Sequence, residues 1–150
     1  MGQSLSKLLV HLVFSTKNRE GLILPRFENK LHGYMTGILK QLDSPPVQIG
    51  GTADHVHLLF NLSKNRALAQ VVKELKQSSS KWAKSDCGAP RNFFWQNGYG
   101  AFSIGQSAVD NVRVYIRDQK AHHRESTFQD ELLLLFKKYE IEYDEKYVWD

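Results

Sequence analysis

The stretch Asp54-His55-Val56-His57-Leu58-Leu59-Phe60 decides the architecture of this chain and points to its chemistry. It is an apolar run that follows Gly50-Gly51, and it reads as a strong strand over residues 55–62, with the glycine pair opening the turn before it. Residues two apart in a strand point to the same face, so His55 and His57 project side by side while Val56 packs on the other face. Asp54, by the same alternation, points away from the two rings. Two imidazoles so placed can share one divalent cation. Two histidines hydrogen-bonded to neighbours are the bland alternative, and the spacing alone leaves both open. Apolar flanks mean that two adjacent polar rings need some partner.

Working outward, residues 7–16 form a second strand candidate, apolar on both faces and therefore central in its sheet. After a loop and Pro25, residues 27–42 carry Phe27, Leu31, Tyr34, Met35, Ile38, Leu39 and Leu42 at helical spacing, and Ser44-Pro45-Pro46 ends the helix. Residues 47–50 form a short strand. A long amphipathic helix follows at 67–84, with Leu68, Val71, Val72, Leu75 and Trp82 on its apolar side. Residues 93–96 and 101–104 look like two short strands around Asn97-Gly98. Helices are expected at 109–122, with Ser107 as a nearby cap, and at 127–139, with Thr127 as the cap. The order β-α-β-β-α-β-α plus a C-terminal helix and tail indicates an α+β ferredoxin-like sandwich, an antiparallel sheet with helices on one face. Residues 1–124 form its body and 125–150 a C-terminal helix and acidic tail of the same domain.

The 150 residues suit one domain, and 41% hydrophobic with 24% charged residues is ordinary for a globular protein. The longest apolar run, 132–136, is far too short to span a bilayer, and residues 1–6 lack a signal-peptide pattern, so a cytoplasmic location is expected. The single cysteine, Cys87, excludes an internal disulfide and a multi-cysteine metal site. It has no local base to make it a nucleophile. The net charge of +4 conceals an asymmetry. Residues 1–124 hold 17 Lys and Arg against 8 Asp and Glu, and residues 125–150 hold 3 against 8. A basic body is compatible with an anionic partner such as nucleic acid, and equally with ordinary surface charge.

The second informative segment is Asn111-Val112-Arg113-Val114-Tyr115-Ile116-Arg117-Asp118-Gln119. Residues four apart share a helix face, so Tyr115 and Gln119 stand together, with Val112 and Ile116 forming the apolar stripe. An amide oxygen beside a phenol is useful where a metal holds a phosphate, since the phenol oxygen can then attack phosphorus. A free phenol has a pKa near 10, so its anion needs a metal or a basic neighbour. A tyrosine packed at the core edge with its hydroxyl in water is the alternative reading.

Together these segments resemble a known family. His55-Val56-His57 followed by Leu58-Leu59 resembles the HUH motif (histidine, hydrophobic, histidine), and Tyr115-Ile116-x-x-Gln119 resembles the nucleophile helix of single-tyrosine HUH transposases. This is the insertion-sequence-two-hundred-like family, which includes the REP-associated tyrosine transposases. His11 to Arg19 resembles the family's first strand and basic loop, and Trp95-Gln96-Asn97-Gly98-Tyr99 its late hairpin. The likeness runs over residues 8–123.

The resemblance implies a ferredoxin-like fold and a homodimer joined at sheet edges. It leaves open whether the tyrosine helix serves its own subunit or the neighbour. It implies Mg²⁺ or Mn²⁺ held by His55, His57 and Gln119, with Tyr115 as the catalytic nucleophile. The expected reaction is cleavage and rejoining of single-stranded DNA, at hairpin-flanked sites, through a 5′-phosphotyrosine. Lys17, Arg19, Lys73, Lys76, Lys84 and Arg113 are the candidate DNA contacts, and Trp95 and Tyr99 are candidates for stacking on bases. The rival readings are an HUH replication or mobilisation nickase, an inactive ferredoxin-like nucleic-acid-binding module and a metal-dependent hydrolase.

Overall fold

The computed structural model describes residues 2–150. Its elements run β1 (Leu9–Ser15), α1 (Pro25–Gln41), β2 (Pro46–Gly51), β3 (His55–Asn61), α2 (Leu68–Asp86), β4 (Gly100–Ser103), α3 (Val109–Arg117), α4 (Gln119–His122) and α5 (Phe128–Lys138). The four strands form one antiparallel sheet in the order β2-β3-β1-β4. With the helix–strand order, this is the ferredoxin-like α+β arrangement that the sequence pattern predicts.

Strand alternation divides the core in two. Leu12 and Phe14 of β1 and Val56, Leu58 and Phe60 of β3 meet α1 and α2 in the larger cluster. His11, Val13 and Ser15 share the opposite face with His55, His57 and Leu59. Helices on one face are thus found in α1 and α2, but the histidine face is covered too. α3 sets Ile116 on Leu9 and Leu59, and α5 sets Phe128, Leu132 and Phe136 on Val13 and Phe102. Burial of β1 and β3 on both faces explains their nearly continuous apolar sequence.

Local signals account for most element ends. Pro25 opens α1, where its missing N–H costs nothing. α1 ends as Ser44 N donates to Leu39 O (2.8 Å) and Asp43 N to Lys40 O (3.1 Å), with Asp43 left-handed at φ 52°. Thr127 caps α5 as expected, its hydroxyl oxygen accepting from Asp130 N at 3.1 Å. Ser107 makes no cap bond and lies in a 3₁₀ turn at Gln106–Ala108.

Three expectations fail. Residues 93–96 form no strand, and there is no hairpin around Asn97-Gly98. Trp95 makes only an isolated bridge to Thr16, the Gln96 side-chain oxygen replaces a strand partner for Ser15 N (2.8 Å), and β4 pairs with β1. The expected helix over 109–122 breaks at Asp118 into α3 and α4. Gly50-Gly51, rather than opening a turn, stay in β2 opposite His57 and Val56. The tail is tied back, with Gly98 N donating to Asp150 O at 2.8 Å and Trp149 beside Phe128.

Gly50 sets the height of α3 above the sheet. A Cβ there would stand 2.3 Å from the Ile116 carbonyl oxygen, which is backbone and cannot swing aside. Gly50→Ala is therefore expected to lift α3 and lower stability by about 1–3 kcal/mol in a chemical denaturation series. An unchanged midpoint would show that the helix has slack.

Candidate active site

β3 presents His55 and His57 toward α3–α5, and both are fully buried. Asp54 lies in the turn before β3, so strand alternation does not govern it. Its carboxylate accepts from His55 Nδ1 at 2.7 Å, and the Thr52 hydroxyl lies 2.9 Å from both Asp54 Oδ1 and His55 Nδ1. Burial alone would raise the Asp54 pKa. The hydrogen bond and charge of His55 outweigh that and hold it below the usual range, so an ionised carboxylate fixes the proton of His55 on Nδ1. The other ring nitrogen, Nε2, faces inward.

Gln119 is brought to that nitrogen. It is fully buried just past the break at Asp118, with Oε1 3.1 Å from His55 Nε2 and its NH₂ donating to the Tyr115 carbonyl at 3.3 Å. Flipping the amide would set two oxygens against each other, so the carbonyl fixes its orientation. His55 Nε2 and Gln119 Oε1 therefore face each other at 3.1 Å, within reach of one shared proton or cation.

His57 lies between two partners. Its Nδ1 is 2.7 Å from Nε2 of buried His11 on β1, and its Nε2 is 2.8 Å from Glu131 Oε1 on α5. Burial first, then neighbouring His55 and His123, hold the His57 pKa below its ordinary value despite Glu131. Burial beside His57 pushes His11 down to about 3, so that ring is neutral. Glu131 is the hub. Besides His57 it accepts from the Tyr115 hydroxyl through Oε2, and His123 Nε2 lies 3.2 Å from its Oε1. Burial would raise its pKa, but these donors hold the carboxyl far below the usual range, so it is a buried anion. His123 Nε2 is buried and has no partner in hydrogen-bond geometry despite that closeness. Its pKa is raised, the pull of Glu131 exceeding the opposing effect of burial.

The ligand atoms of His55, His57, His123 and Glu131 all lie within 4.8 Å of one another. Opposite ligands on one first-row ion stand about 4.2 Å apart, so small side-chain adjustments would let these groups share a cation. Imidazoles, a carboxylate and an amide oxygen form a donor set suited to Mn²⁺ and its neighbours. The facing His55 Nε2 and Gln119 Oε1 and the orphan nitrogen of His123 give that cation a place.

Tyr115 stands at the rim, half-buried, with its ring edge-on to His57 at 5.7 Å between centroids. Burial, then the Glu131 carboxylate, raises its pKa well above that of free tyrosine, so the hydroxyl keeps its proton in this arrangement. Beside it opens a cleft of about 770 Å³, lined by His11, Asn111, Tyr115, His122 and Lys138 among others.

The structure thus brings Tyr115, Gln119, His55 and His57 together within one chain. It does not gather the six candidate DNA contacts. Lys17 and Arg19 follow β1, with the Arg19 guanidinium 5.8 Å from the Trp149 ring centre. Arg113 is exposed and paired with Asp110 at 3.3 Å. Lys73 and Lys84 lie on α2, behind the sheet from the histidines. Lys76 turns inward and donates to the carbonyls of Gln96 (2.7 Å), Asn97 (3.3 Å) and Gly98 (2.6 Å), which leaves its ammonium engaged in holding that loop. Neither Glu131 nor His123 is among the metal-ligand candidates of the sequence. The available signal was an acid inside the apolar stripe Phe128, Leu132, Leu135, Phe136, where an unpaired charge is costly.

Comparison with known proteins agrees with the fold. No curated protein matches the chain. Among solved structures, a candidate transposase from Deinococcus radiodurans R1 superposes with a TM-score of 0.61 at 21% identity, covering 79% of this chain and 96% of that one. A REP-associated tyrosine transposase bound to a REP hairpin gives a TM-score of 0.61 at 15% identity, covering 82% of this chain and 73% of that one. At these identities the likeness carries the fold. The family described as IS200-like transposases matches residues 4–119, a span that holds His55, His57, Tyr115 and Gln119 and stops short of His123 and Glu131. The chain belongs to the IS200-like transposase family.

Proposed function

We propose that this transposase cleaves and rejoins single-stranded DNA through a covalent 5′-phosphotyrosine at Tyr115, assisted by a divalent metal ion. The observation that carries the reading is the convergence, inside one chain, of the Tyr115 hydroxyl with the acceptor cluster of His55, His57, Gln119 and Glu131. His55, His57 and Gln119 hold the ion, with Glu131 and His123 as further ligands. Mg²⁺ or Mn²⁺ bound there supplies positive charge against the scissile phosphate.

The chain's own groups do the rest. Glu131 Oε2 accepts the hydrogen bond of the phenol and aims Tyr115 Oη, whose proton passes to solvent as the oxygen closes on phosphorus. The P–O bond to the 3′-oxygen breaks and that oxygen takes a proton from water, leaving a 3′-hydroxyl on one strand end and a phosphodiester between Tyr115 and the other. That ester conserves the bond energy, so a second 3′-hydroxyl can displace the tyrosine and rejoin strands with no nucleotide cofactor. Substrate with hairpin structure is part of the proposal, supported by the family and by the hairpin held by one structural relative. The basic groups Lys17, Arg19, Lys73, Lys84 and Arg113 are proposed to track the backbone. A homodimer joined at sheet edges is compatible with a site that stands inside each chain. No described helix is long and apolar enough to cross a membrane.

A labelled single-stranded oligonucleotide incubated with Mn²⁺ and run on a denaturing gel tests the reading. A retarded covalent band that disappears on proteolysis is expected. Free cleaved product would indicate a hydrolase, and intact DNA across a panel of hairpin-bearing substrates would indicate a binding module.

Two positioning roles follow from the same geometry. Asp54 holds the His55 ring through Nδ1, and His11 holds the His57 ring through Nδ1. Asp54→Ala and His11→Ala are each expected to weaken Mn²⁺ binding by about 10–100-fold, read by calorimetry on folded protein. Wild-type affinity in both would remove these assignments.

A further inference from the structure

Behind the sheet from Tyr115, α2 and residues 94–99 enclose a groove of about 870 Å³. Lys73, Lys81 and Lys84 line it, and among the described residues no Asp or Glu does. Along α2, the stretch from Lys73 to Lys84 rises about 16 Å, so the charges form a strip rather than a point. Two large aromatic side chains stand open beside the strip, Phe94 at 48% and Tyr99 at 38% exposure. Their exposure is enforced by their neighbours. Phe93 is fully buried, and Trp95 is buried with its indole N–H donating to Ser79 at 2.9 Å. Lys76 ties the carbonyls of Gln96 and Gly98 to α2, and Asp150 O accepts from Gly98 N. The segment is therefore held by its inward groups, and Phe94 and Tyr99 face the groove. The Lys84 ammonium lies 3.8 Å above the Phe94 ring, so cation and π-face occur together.

A strip of positive charge edged by open aromatic faces matches an unpaired nucleic-acid strand, whose phosphates meet lysine and whose bases stack. Among the described residues the groove carries no acidic side chain to meet the basic groups of a protein partner, and a closed duplex cannot offer its base faces. We infer that this groove binds unpaired nucleotides of the DNA substrate, stacking bases on Phe94 and Tyr99, at a surface separate from the cleavage site. The inference rests on the DNA reading above and extends it to a second contact surface on the opposite side of the sheet.

The test is fluorescence anisotropy of the full chain with EDTA present, so that no cleavage is read. The probes are a labelled single strand, the blunt duplex of the same sequence and the matching single-stranded RNA. Phe94→Ala with Tyr99→Ala should weaken single-strand binding by about tenfold or more and leave duplex binding unchanged. Both side chains are exposed, and an unaltered melting temperature verifies the fold. Lys73→Ala, Lys81→Ala and Lys84→Ala together should make the single-strand salt dependence shallower by about 0.7 per lysine removed. Single-strand binding by the aromatic variant equal to wild type, equal losses for strand and duplex, or tighter binding of RNA than DNA would each overturn the assignment. A parallel adduct assay with Mn²⁺ separates the two readings. Adduct formation by wild type with groove variants that bind and react like it removes the groove and keeps strand transfer. No adduct anywhere, with single-strand affinity still lost in the aromatic variant, removes strand transfer and keeps the groove.

Discussion

Tyr115→Phe is expected to abolish the covalent protein–DNA adduct while the protein still folds and binds single-stranded DNA. The substitution deletes one oxygen, the proposed nucleophile, and leaves the ring that packs against His57, His11 and His122. Removing a nucleophile for which no neighbouring group substitutes costs on the order of 10⁴-fold or more in rate. His11, His122 and Glu131 are near, but none offers an oxygen or nitrogen that forms so stable a phosphate ester. Glu131 loses one donor and keeps His57 and His123 close by, so the loss of stability should stay at about 1–3 kcal/mol. The measurement is single-turnover cleavage followed on a denaturing gel, with anisotropy as the binding control. An adduct that persists in the Phe variant would assign the nucleophile elsewhere.

The second large effect is expected from His57→Ala. His57 sits at the centre of the cluster, with one nitrogen on His11 and the other on Glu131. Its removal deletes a ligand, opens a cavity in a fully buried strand and leaves the Glu131 anion short of a partner. Mn²⁺ affinity should fall by about 100-fold or more, and metal-dependent cleavage by about 10²–10³-fold. Stability should drop by about 2–5 kcal/mol, because lost packing and an under-partnered buried charge act together. Calorimetric titration of Mn²⁺ into protein shown to be folded separates the two effects. Gln119→Ala supplies the complementary arm, since it removes a proposed ligand from the other side of the site. Wild-type Mn²⁺ affinity in both variants would show that the cluster is a hydrogen-bonded core rather than a metal site.

The parts of this arrangement that were legible in the sequence were those whose geometry is local. His55 and His57 share a face because strand residues alternate, and Tyr115 and Gln119 share one because a helix repeats every 3.6 residues. The second pairing survives the break at Asp118, since the Gln119 amide still reaches the Tyr115 carbonyl. The sheet was legible because β1 and β3 are buried on both faces. Glu131 was not, because only the packing of α5 on Val13 and Phe102 brings it to the site from beyond the family match, and His123 joins it from the end of α4. An acid in the apolar stripe of α5 signalled a partner without naming it. Asp54 is a turn residue outside strand alternation, and its side chain folds back on Nδ1 of the next ring. The Asn97-Gly98 dipeptide has the composition of a hairpin turn, but β4 pairs with β1, and Lys76 and Asp150 hold the loop instead. Among the DNA contacts, charge alone did not separate Lys76, drawn inward to three carbonyls, from Lys73, which stays in solvent.

The cluster around Tyr115 is tested most directly by locating the covalent bond. The protein is incubated with Mn²⁺ and a cleavable single-stranded oligonucleotide, digested with nuclease and protease, and the peptides are sequenced by mass spectrometry. The expected result is a single peptide bearing a 5′-linked nucleotide on Tyr115, absent when the metal is chelated. A nucleotide on any other residue, or cleaved DNA with Tyr115 unmodified at every time point, would contradict it.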